Sequence, residues 1–365
     1  MRKHNAENER IKREYLRWIG EAQGRSEATL DHAAAAIARY EADTGYRPFK
    51  TFNRDRVVAF KRHLVEAQHP TTGKPLSQAT VCSTLKAVRA FFEWLSREPG
   101  YRRDVRFADA AYLNPNANDL RIATAARTRP SPSLEQVHHV IAAMPIATAL
   151  ERRDRAVVAF NLLTGARDAA IASMKLKHLD LVRGRVFQDA RDVKTKAAKT
   201  FMTPFFAVGG DAETIVRAWA AEMTTDHLFG PDDPLFPRTR MGLDDEGLFK
   251  GVGLDRKHWQ SAAPIRSIFR RAFGAVGLPY FNPHALRQTI TRRAFDLELT
   301  PRQLKAWSLS LGHTNVLTTL TSYGHLTEDE QTETMERIAA KAASPGGDED
   351  AIIAQAMGIL SRRTS

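Results

Sequence analysis

The spacing of apolar residues divides this sequence into two parts. Apolar side chains recur at helical spacing before Asn114 and again after Ser133, but between these positions the pattern breaks down. The intervening stretch opens with an Asn-Pro-Asn turn signal and continues as a polar run with prolines and arginines. It is either a solvated spacer or a basic linker that lies along a phosphate backbone. We predict a domain over 1–113, a linker over 114–132, a second domain over 133–343, and a C-terminal hinge and helix over 344–365.

The first domain is expected to be a bundle of four helices. Stretches over 8–21, 26–43 and 53–68 have apolar residues at helical spacing. The fourth helix has the clearest signals, because Ser77 can cap its start and a Pro-Gly pair ends it. Its apolar face is formed by Val81, Leu85, Val88, Phe92 and Leu95.

The second domain is expected to contain helices and a small β-sheet. Ser133 and Gln136 have capping-box spacing, and a helix over 148–163 ends at Gly165, which suits a left-handed cap. The stretch 232–253, rich in Gly, Pro and Asp, is expected to be a surface loop. Two strands are predicted over 185–190 and 200–206, and further helices over 212–223, 263–276, 283–297, 301–309, 328–343 and 350–362. The fold class expected for the chain is therefore mainly α with a small β-sheet in the second domain.

The charge balance favours a polyanionic partner. The 365 residues include 54 Lys and Arg against 42 Asp and Glu, a formal charge of +12, and nucleic acid is the commonest polyanion. No apolar run approaches the ~18 residues that a membrane span needs, and the charged N-terminus does not resemble a signal peptide. A single cysteine, Cys82, cannot form an internal disulfide or a cysteine metal cage. These features predict a protein of the reducing cytoplasm.

The sequence carries no motif for nucleotide or zinc chemistry. It contains no G-x-x-x-x-G-K-[ST] loop and no H-E-x-x-H, and Gly251-Val252-Gly253 lacks the third glycine of a dinucleotide fingerprint. We therefore expect no nucleotide cofactor.

One group of residues carries the clearest chemical signal. His284 and Arg287 lie three apart in a helix whose start is marked by a proline, so their side chains project from one face. An arginine gives bidentate hydrogen bonds to a phosphate, and a histidine can donate a bond or move a proton. Gly312 permits a sharp turn that brings His313 towards the same phosphate. Tyr323 follows, and its phenol, with a pKa of ~10, is a poor nucleophile unless cations and donors surround it.

These residues resemble the motifs of the tyrosine recombinase (phage integrase) family. The family's H-x-x-R, L-G-H and following Tyr are similar to His284 with Arg287, Leu311-Gly312-His313, and Tyr323, although the last spacing is one residue longer than usual. The family's first arginine, which follows a Thr-Gly pair, corresponds to Arg167.

The family's catalytic lysine lies on a hairpin turn. Counting back from Pro204 gives Lys196, with Lys194 and Lys199 as alternatives. The segment 205–282 is longer than in the family's minimal form. The resemblance extends to the two-domain plan, with a helical, SAM-like core-binding domain before an α+β catalytic domain.

The resemblance implies an enzyme that cuts and rejoins duplex DNA at specific sites. Tyr323 would form a 3′-phosphotyrosyl link, Lys196 would protonate the 5′-oxygen that leaves, and His284 would assist removal of the tyrosine proton. Arg167 and Arg287 would clamp the non-bridging oxygens. His313, the other histidine of the pattern, would hydrogen-bond the phosphate.

The same resemblance implies partners and the absence of cofactors. The link conserves bond energy, so no ATP and no metal would be needed. Double-stranded DNA at a recombination site would be the substrate, bound by a homo-oligomer that is expected to be a tetramer on DNA, with accessory factors as further partners. The C-terminal helix could be exchanged between protomers. A type IB topoisomerase and a catalytically silent DNA-binding factor on the same fold are the alternatives, and the mobile element or host role stays open.

Overall fold

The computed structural model describes residues 4–70, 72–124, 130–195, 198–243, 247–297, 299–313 and 328–343. The chain divides into two compact units, Met1–Ala125 and Ala126–Ser365. Both consist mainly of helix, and the strands lie in the second unit, which confirms the predicted fold class. Within the described ranges, no helix is both long and apolar enough to cross a membrane.

The first unit is a helical bundle, as predicted. The Ser77 side chain accepts a hydrogen bond from the backbone nitrogen of Thr80, so the fourth helix begins where the sequence indicates. Cys82, on that helix, is buried. The helices of this unit are α1 (Ala6–Glu21), α2 (Glu27–Asp43), α3 (Arg54–Glu66), α4 (Gln78–Leu95), α5 (Phe107–Ala110) and α6 (Ala117–Thr124).

Aromatic rings fill the core of this bundle. The ring of Phe92 is fully buried. It stacks on Phe52 with 3.8 Å between centroids and meets the edge of Tyr40 at 4.9 Å. Such pairs stabilise a core beyond the area that they bury. The bundle is therefore centred on the apolar face that the sequence assigns to α4.

Part of the segment predicted to be a linker is a helix. Helix α6 contacts α4, where Gln78 Nε2 donates to Asp119 Oδ1 at 3.5 Å and Cys82 Sγ lies 3.8 Å from the Asp119 carbonyl oxygen. The Asn116 side chain accepts a hydrogen bond from the Asp119 backbone nitrogen, which satisfies a donor at the helix start. The helix was not expected because its larger apolar residues, Leu120 and Ile122, lie two apart rather than at helical spacing.

The second unit surrounds one buried helix, α8. Every residue of α8 from Ala156 to Thr164 is at most 2% exposed, and α7, α10, α11 and α12 pack against it. Both α7 and α8 begin with a complete capping box. The helix predicted over 350–362 lies outside the described residues. The helices of this unit are α7 (Leu134–Ala143), α8 (Ala149–Thr164), α9 (Asp168–Ser173), α10 (Ala212–Thr225), α11 (Ala263–Ala275), α12 (Pro283–Asp296), α13 (Pro301–Ser310) and α14 (Glu328–Ala343).

The predicted strands form an antiparallel sheet with a short third strand. The strands β1 (Leu179–Asp180), β2 (Arg185–Gln188) and β3 (Phe201–Pro204) are arranged in the order β1-β2-β3. Arg185 pairs with Pro204 and Gln188 with Phe201, so the lysine-rich turn joins two paired strands as expected.

The expectation of a loop over 232–253 was wrong. Strands β4 (Arg238–Leu243) and β5 (Phe249–Asp255) form an antiparallel hairpin there, tied to α8 by Arg153, whose Nη1 donates to the Pro237 carbonyl at 3.0 Å. Met241, Leu243 and Phe249 are at least half exposed. The hairpin therefore lacks the alternation of buried and exposed apolar residues by which a strand is predicted.

We expect Phe92→Ala to destabilise the first unit by about 3–5 kcal/mol, because the substitution leaves a cavity in a close-packed aromatic core. The measurement is urea unfolding followed by far-UV circular dichroism. Val58→Ala is the control, because this α3 side chain is 52% exposed and its loss should change stability by less than about 0.5 kcal/mol. Equal shifts for the two variants would contradict this assignment of the core.

Candidate active site

The turn after α8 fixes the start of the site. Gly165 ends the buried helix with φ +58°, and a Cβ there would lie 2.9 Å from Leu311 Cδ2 and 3.2 Å from Ile290 Cδ1. Only glycine combines this left-handed conformation with such close packing. Asn161 Nδ2 donates to the Ala166 carbonyl at 2.6 Å, which holds the chain in place as it enters Arg167.

Arg287 joins three separate segments of the second unit. Helix α12, which carries it, begins at Pro283, and the side chain of Asn282 just before it accepts a hydrogen bond from the Ala285 backbone nitrogen at 3.1 Å. The Arg287 side chain is 5% exposed. Its guanidinium donates to the carbonyl oxygen of Gly165 and, at 2.6 Å, to that of Leu311. The ends of α8 and α13 therefore meet at this arginine.

Two guanidinium charges, those of Arg167 and Arg287, lie at this junction. Burial lowers the pKa of Arg287 to about 9, with a further contribution from the positive charge of Arg167, so Arg287 stays charged at neutral pH. Arg167 is half-buried, and burial lowers its pKa as well. Neither guanidinium pairs with a carboxylate among the described residues. Buried charges without a partner are costly, so the junction is suited to bind an anion.

His313 reaches the same junction through a glycine turn. Gly312 has φ +72°, and a Cβ there would lie 2.7 Å from the Phe201 ring. His313 follows directly, and its Nε2 lies 3.3 Å from Arg287 Nη2. Because a guanidinium only donates, Nε2 accepts here and a neutral His313 carries its proton on Nδ1.

The β2–β3 hairpin is held against the end of α13. Thr203, fully buried on β3, donates to the Ser310 carbonyl at 2.9 Å and accepts from Gln188 Nε2 at 3.0 Å. The sequence analysis did not identify Thr203, because a threonine in a strand is ordinary and its partner lies far away in sequence. The hairpin that carries the lysine-rich turn is thus attached beside Gly312.

The described residues therefore bring together Arg167, Arg287 and His313 of the predicted site. His284 is exposed on the first turn of α12, three residues before Arg287. Among the lysines of the turn, the structure describes Lys194 and Lys199, both exposed. Lys196 and Tyr323 lie outside the described residues, so their places in the site stay predictions.

The described part of the chain holds no group of three His, Cys, Asp or Glu side chains arranged to share a metal ion. The cations and ring nitrogens at the junction suit an anion instead.

We expect Gly312→Ala to destabilise the protein more than Gly277→Ala does. The two glycines have nearly equal φ angles, +72° and +71°, but only the Gly312 Cβ would contact another residue. Adopting a left-handed conformation costs alanine about 1–2 kcal/mol at either site, and overpacking against Phe201 should add about 1–3 kcal/mol. The measurement is urea unfolding of both variants, and equal losses would contradict the close packing of Gly312.

The chain is similar in sequence to known proteins. Residues 133–330, more than half of the chain, match the family described as the Phage integrase family. Tyrosine recombinase XerC of Shigella flexneri is 24% identical over 316 residues, which cover 86% of this chain and 90% of that protein. Tyrosine recombinase XerC of Alcanivorax borkumensis is 26% identical over 252 residues, 68% of this chain and 70% of that protein.

Solved structures share the fold. A λ integrase dimer bound to a COC′ core site has a TM-score of 0.58 at 15% identity, covering 87% of this chain and 95% of that chain. The Tn1549 transposon integrase in complex with transposon right end DNA has a TM-score of 0.53 at 16% identity, covering 90% of this chain and 99% of that chain. These structures carry the same two-domain, mainly helical architecture. The chain belongs to the phage integrase family, and it is a tyrosine-type, site-specific DNA recombinase.

Proposed function

We propose that this recombinase cleaves duplex DNA through a 3′-phosphotyrosyl intermediate and that the junction around Arg287 holds the scissile phosphate. The observation that supports this most is the pair of guanidiniums, Arg167 and Arg287, without a carboxylate partner among the described residues. A phosphodiester carries one negative charge, and the pentacoordinate transition state concentrates more on its non-bridging oxygens. Preorganised cations therefore stabilise the transition state more than the bound substrate.

The two histidines are assigned complementary roles. His284, exposed and three residues before Arg287, would assist removal of the proton from the attacking phenol. His313 would hydrogen-bond a phosphate oxygen.

The nucleophile and the general acid are assigned from the family pattern. Tyr323 would attack phosphorus, and it is the only tyrosine of the sequence after Tyr280. Lys196 would give a proton to the departing 5′-oxygen, with Lys194 and Lys199 as the alternatives. The attachment of the β2–β3 hairpin to the end of α13 supports a lysine of this turn in that role.

The DNA partner and the assembly are proposed from charge and from the neighbouring structures. The chain carries a formal charge of +12, and the λ and Tn1549 integrases were solved with DNA core-site and transposon-end sequences. We infer that double-stranded DNA binds here too, with residues 1–113 as the core-binding domain and 133–343 as the catalytic domain. A tetramer on two DNA sites, exchange of the segment 344–365 between protomers, accessory factors and binding to the nucleoid belong to the same proposal.

Tyr323→Phe should abolish the covalent protein–DNA adduct and leave DNA binding intact, because the substitution removes only the attacking oxygen. The measurement is a denaturing gel after incubation with a nicked duplex from the ends of the protein's own element, beside a native gel for binding. Tyr280→Phe, which removes an exposed hydroxyl outside the proposed site, is the matched control and should form the wild-type amount of adduct. An adduct with Tyr323→Phe would show that the nucleophile is another residue.

Arg167→Met should lower the rate of adduct formation by about 10²–10³-fold, because one preorganised donor to the transition state is lost. The same variant should unfold at the wild-type urea concentration or a higher one, because Arg167 has no side-chain partner among the described residues and repels Arg287. Arg217→Met, which breaks only a surface pair with Glu213, is the control for both measurements. A near-normal cleavage rate would contradict the phosphate clamp.

A further inference from the structure

The turn that follows β2 is anchored at its first residues. The backbone nitrogen of Val193 donates to the Asp189 carbonyl at 2.7 Å, and the Val193 side chain is buried in the core of the second unit. Next to it, the Asp192 carboxylate accepts hydrogen bonds from two lysines. Lys175 Nζ lies 2.8 Å from Oδ1, and Lys177 Nζ lies 2.8 Å from Oδ2.

The partners of Asp192 belong to the same short segment as Arg167. Arg167 immediately precedes α9, Ser173 ends that helix, and Lys175 and Lys177 lie just beyond it. The Ser173 hydroxyl accepts a hydrogen bond from the backbone nitrogen of Lys194 at 2.8 Å. One segment, 167–178, therefore carries an arginine of the phosphate clamp at one end and holds the lysine-rich turn at the other.

The charges of this anchor are largely matched within it. Asp232 also accepts from Lys177 at 2.8 Å and lies 3.4 Å from Lys175, so two carboxylates face two ammonium groups. Hydrogen bonds from Lys175 and Lys177 hold the pKa of Asp192 well below its usual range. The His178 side chain is 3% exposed, and its Nε2 lies 3.4 Å from Asp192 Oδ2. Burial lowers the pKa of His178. The Asp192 side chain is 25% exposed, whereas that of Asp232 is 75% exposed, so Asp192 is the more firmly held partner.

We propose that Asp192 is a positioning residue for the cleavage step: through Lys175 and Lys177 it fixes the start of the lysine-rich turn relative to Arg167. This inference rests on the proposed function, in which a lysine of the turn is the general acid. In that step the tyrosine oxygen forms a bond to phosphorus, the bond from phosphorus to the 5′-oxygen breaks, and its electron pair goes to the 5′-oxygen. That oxygen takes a proton from the lysine ammonium, so the position of the ammonium relative to the clamped phosphate sets the rate.

The test compares two leaving groups. The substrate is a nicked duplex, chosen from a pool of random sequences because the wild-type protein becomes covalently attached to it. It is synthesised in two forms, one with an ordinary phosphodiester at the cleavage site and one with sulfur in place of the 5′-bridging oxygen. A thiolate leaves without needing a proton, so the sulfur substrate bypasses the general acid. Asp192→Ala should slow adduct formation on the ordinary duplex by about 10–100-fold, as a misplaced catalytic group does, and should cleave the sulfur duplex within about threefold of wild type.

Matched variants separate positioning from folding. Lys175→Met with Lys177→Met removes the same anchor from the other side and should show the same pattern. Asp180→Asn is the control, because it also removes a carboxylate from an ion pair of this sheet. Asp180 pairs with Arg185, the first residue of β2, at the end of the strand that lies away from the lysine-rich turn. It should behave as wild type on both duplexes. Urea unfolding and native-gel binding of each variant report the fold and the DNA affinity.

Two results would overturn the proposal. If Asp192→Ala and the lysine double variant cleave the ordinary duplex at the wild-type rate, the anchor does not position the acid. If their deficit persists on the sulfur duplex, the anchor has a structural role only. Lys196→Ala, Lys194→Ala and Lys199→Ala test the proposed function separately. One of them must be slow on the ordinary duplex and restored by sulfur, and if none is, both the general-acid assignment and the role of Asp192 are wrong.

Discussion

The geometry of the site depends on the hydrogen bonds that the Arg287 guanidinium makes to two backbone carbonyls. Gly165 and Leu311, which supply those carbonyls, lie 122 and 24 positions away from Arg287 in sequence. Their meeting requires the left-handed turn that ends α8 and the close packing of Leu311 against it. A carbonyl oxygen satisfies a donor without neutralising the cation, so Arg287 is held rigidly while its positive charge stays available.

This arrangement costs stability. Arg287 is buried, Arg167 is half-buried beside it, and their like charges oppose each other without a carboxylate among the described residues. A fold selected only for stability would place a carboxylate or an apolar side chain there. Substrate phosphate, bound here as proposed, would offset this cost, because its charge relieves the repulsion and the charge of the transition state relieves it further.

The sequence predicts those features that depend on neighbouring residues. Helix α4, the cap at Gly165 and the β2–β3 hairpin follow from spacing, glycine conformation and strand pairing, and the ordered motif residues indicate the chemistry. Helix α6 and the β4–β5 hairpin were missed because their apolar side chains are largely exposed, so no buried face appears in the local pattern. The contact of Thr203 with Ser310 joins residues 107 apart, and no local pattern reports such a pair. Contacts between distant segments also decide which lysine of the turn faces the phosphate. Counting back from Pro204 therefore selects Lys196 but does not establish its role.

In the proposed site, the segment 167–178 carries one basic residue that would bind substrate and two that support the fold. Among the residues that the structure describes, Arg167 pairs with no carboxylate, whereas Lys175 and Lys177 share two, Asp192 and Asp232. All three are cations on one short stretch, and in the sequence only the family motif with its Thr-Gly pair singles out Arg167. The distinction comes from where the acidic residues lie in the folded chain, because an ion pair that is already formed has little charge left to offer a phosphate. The net charge of +12 therefore indicates a polyanionic partner, and the proposed place of its binding is where the described cations have no carboxylate partner.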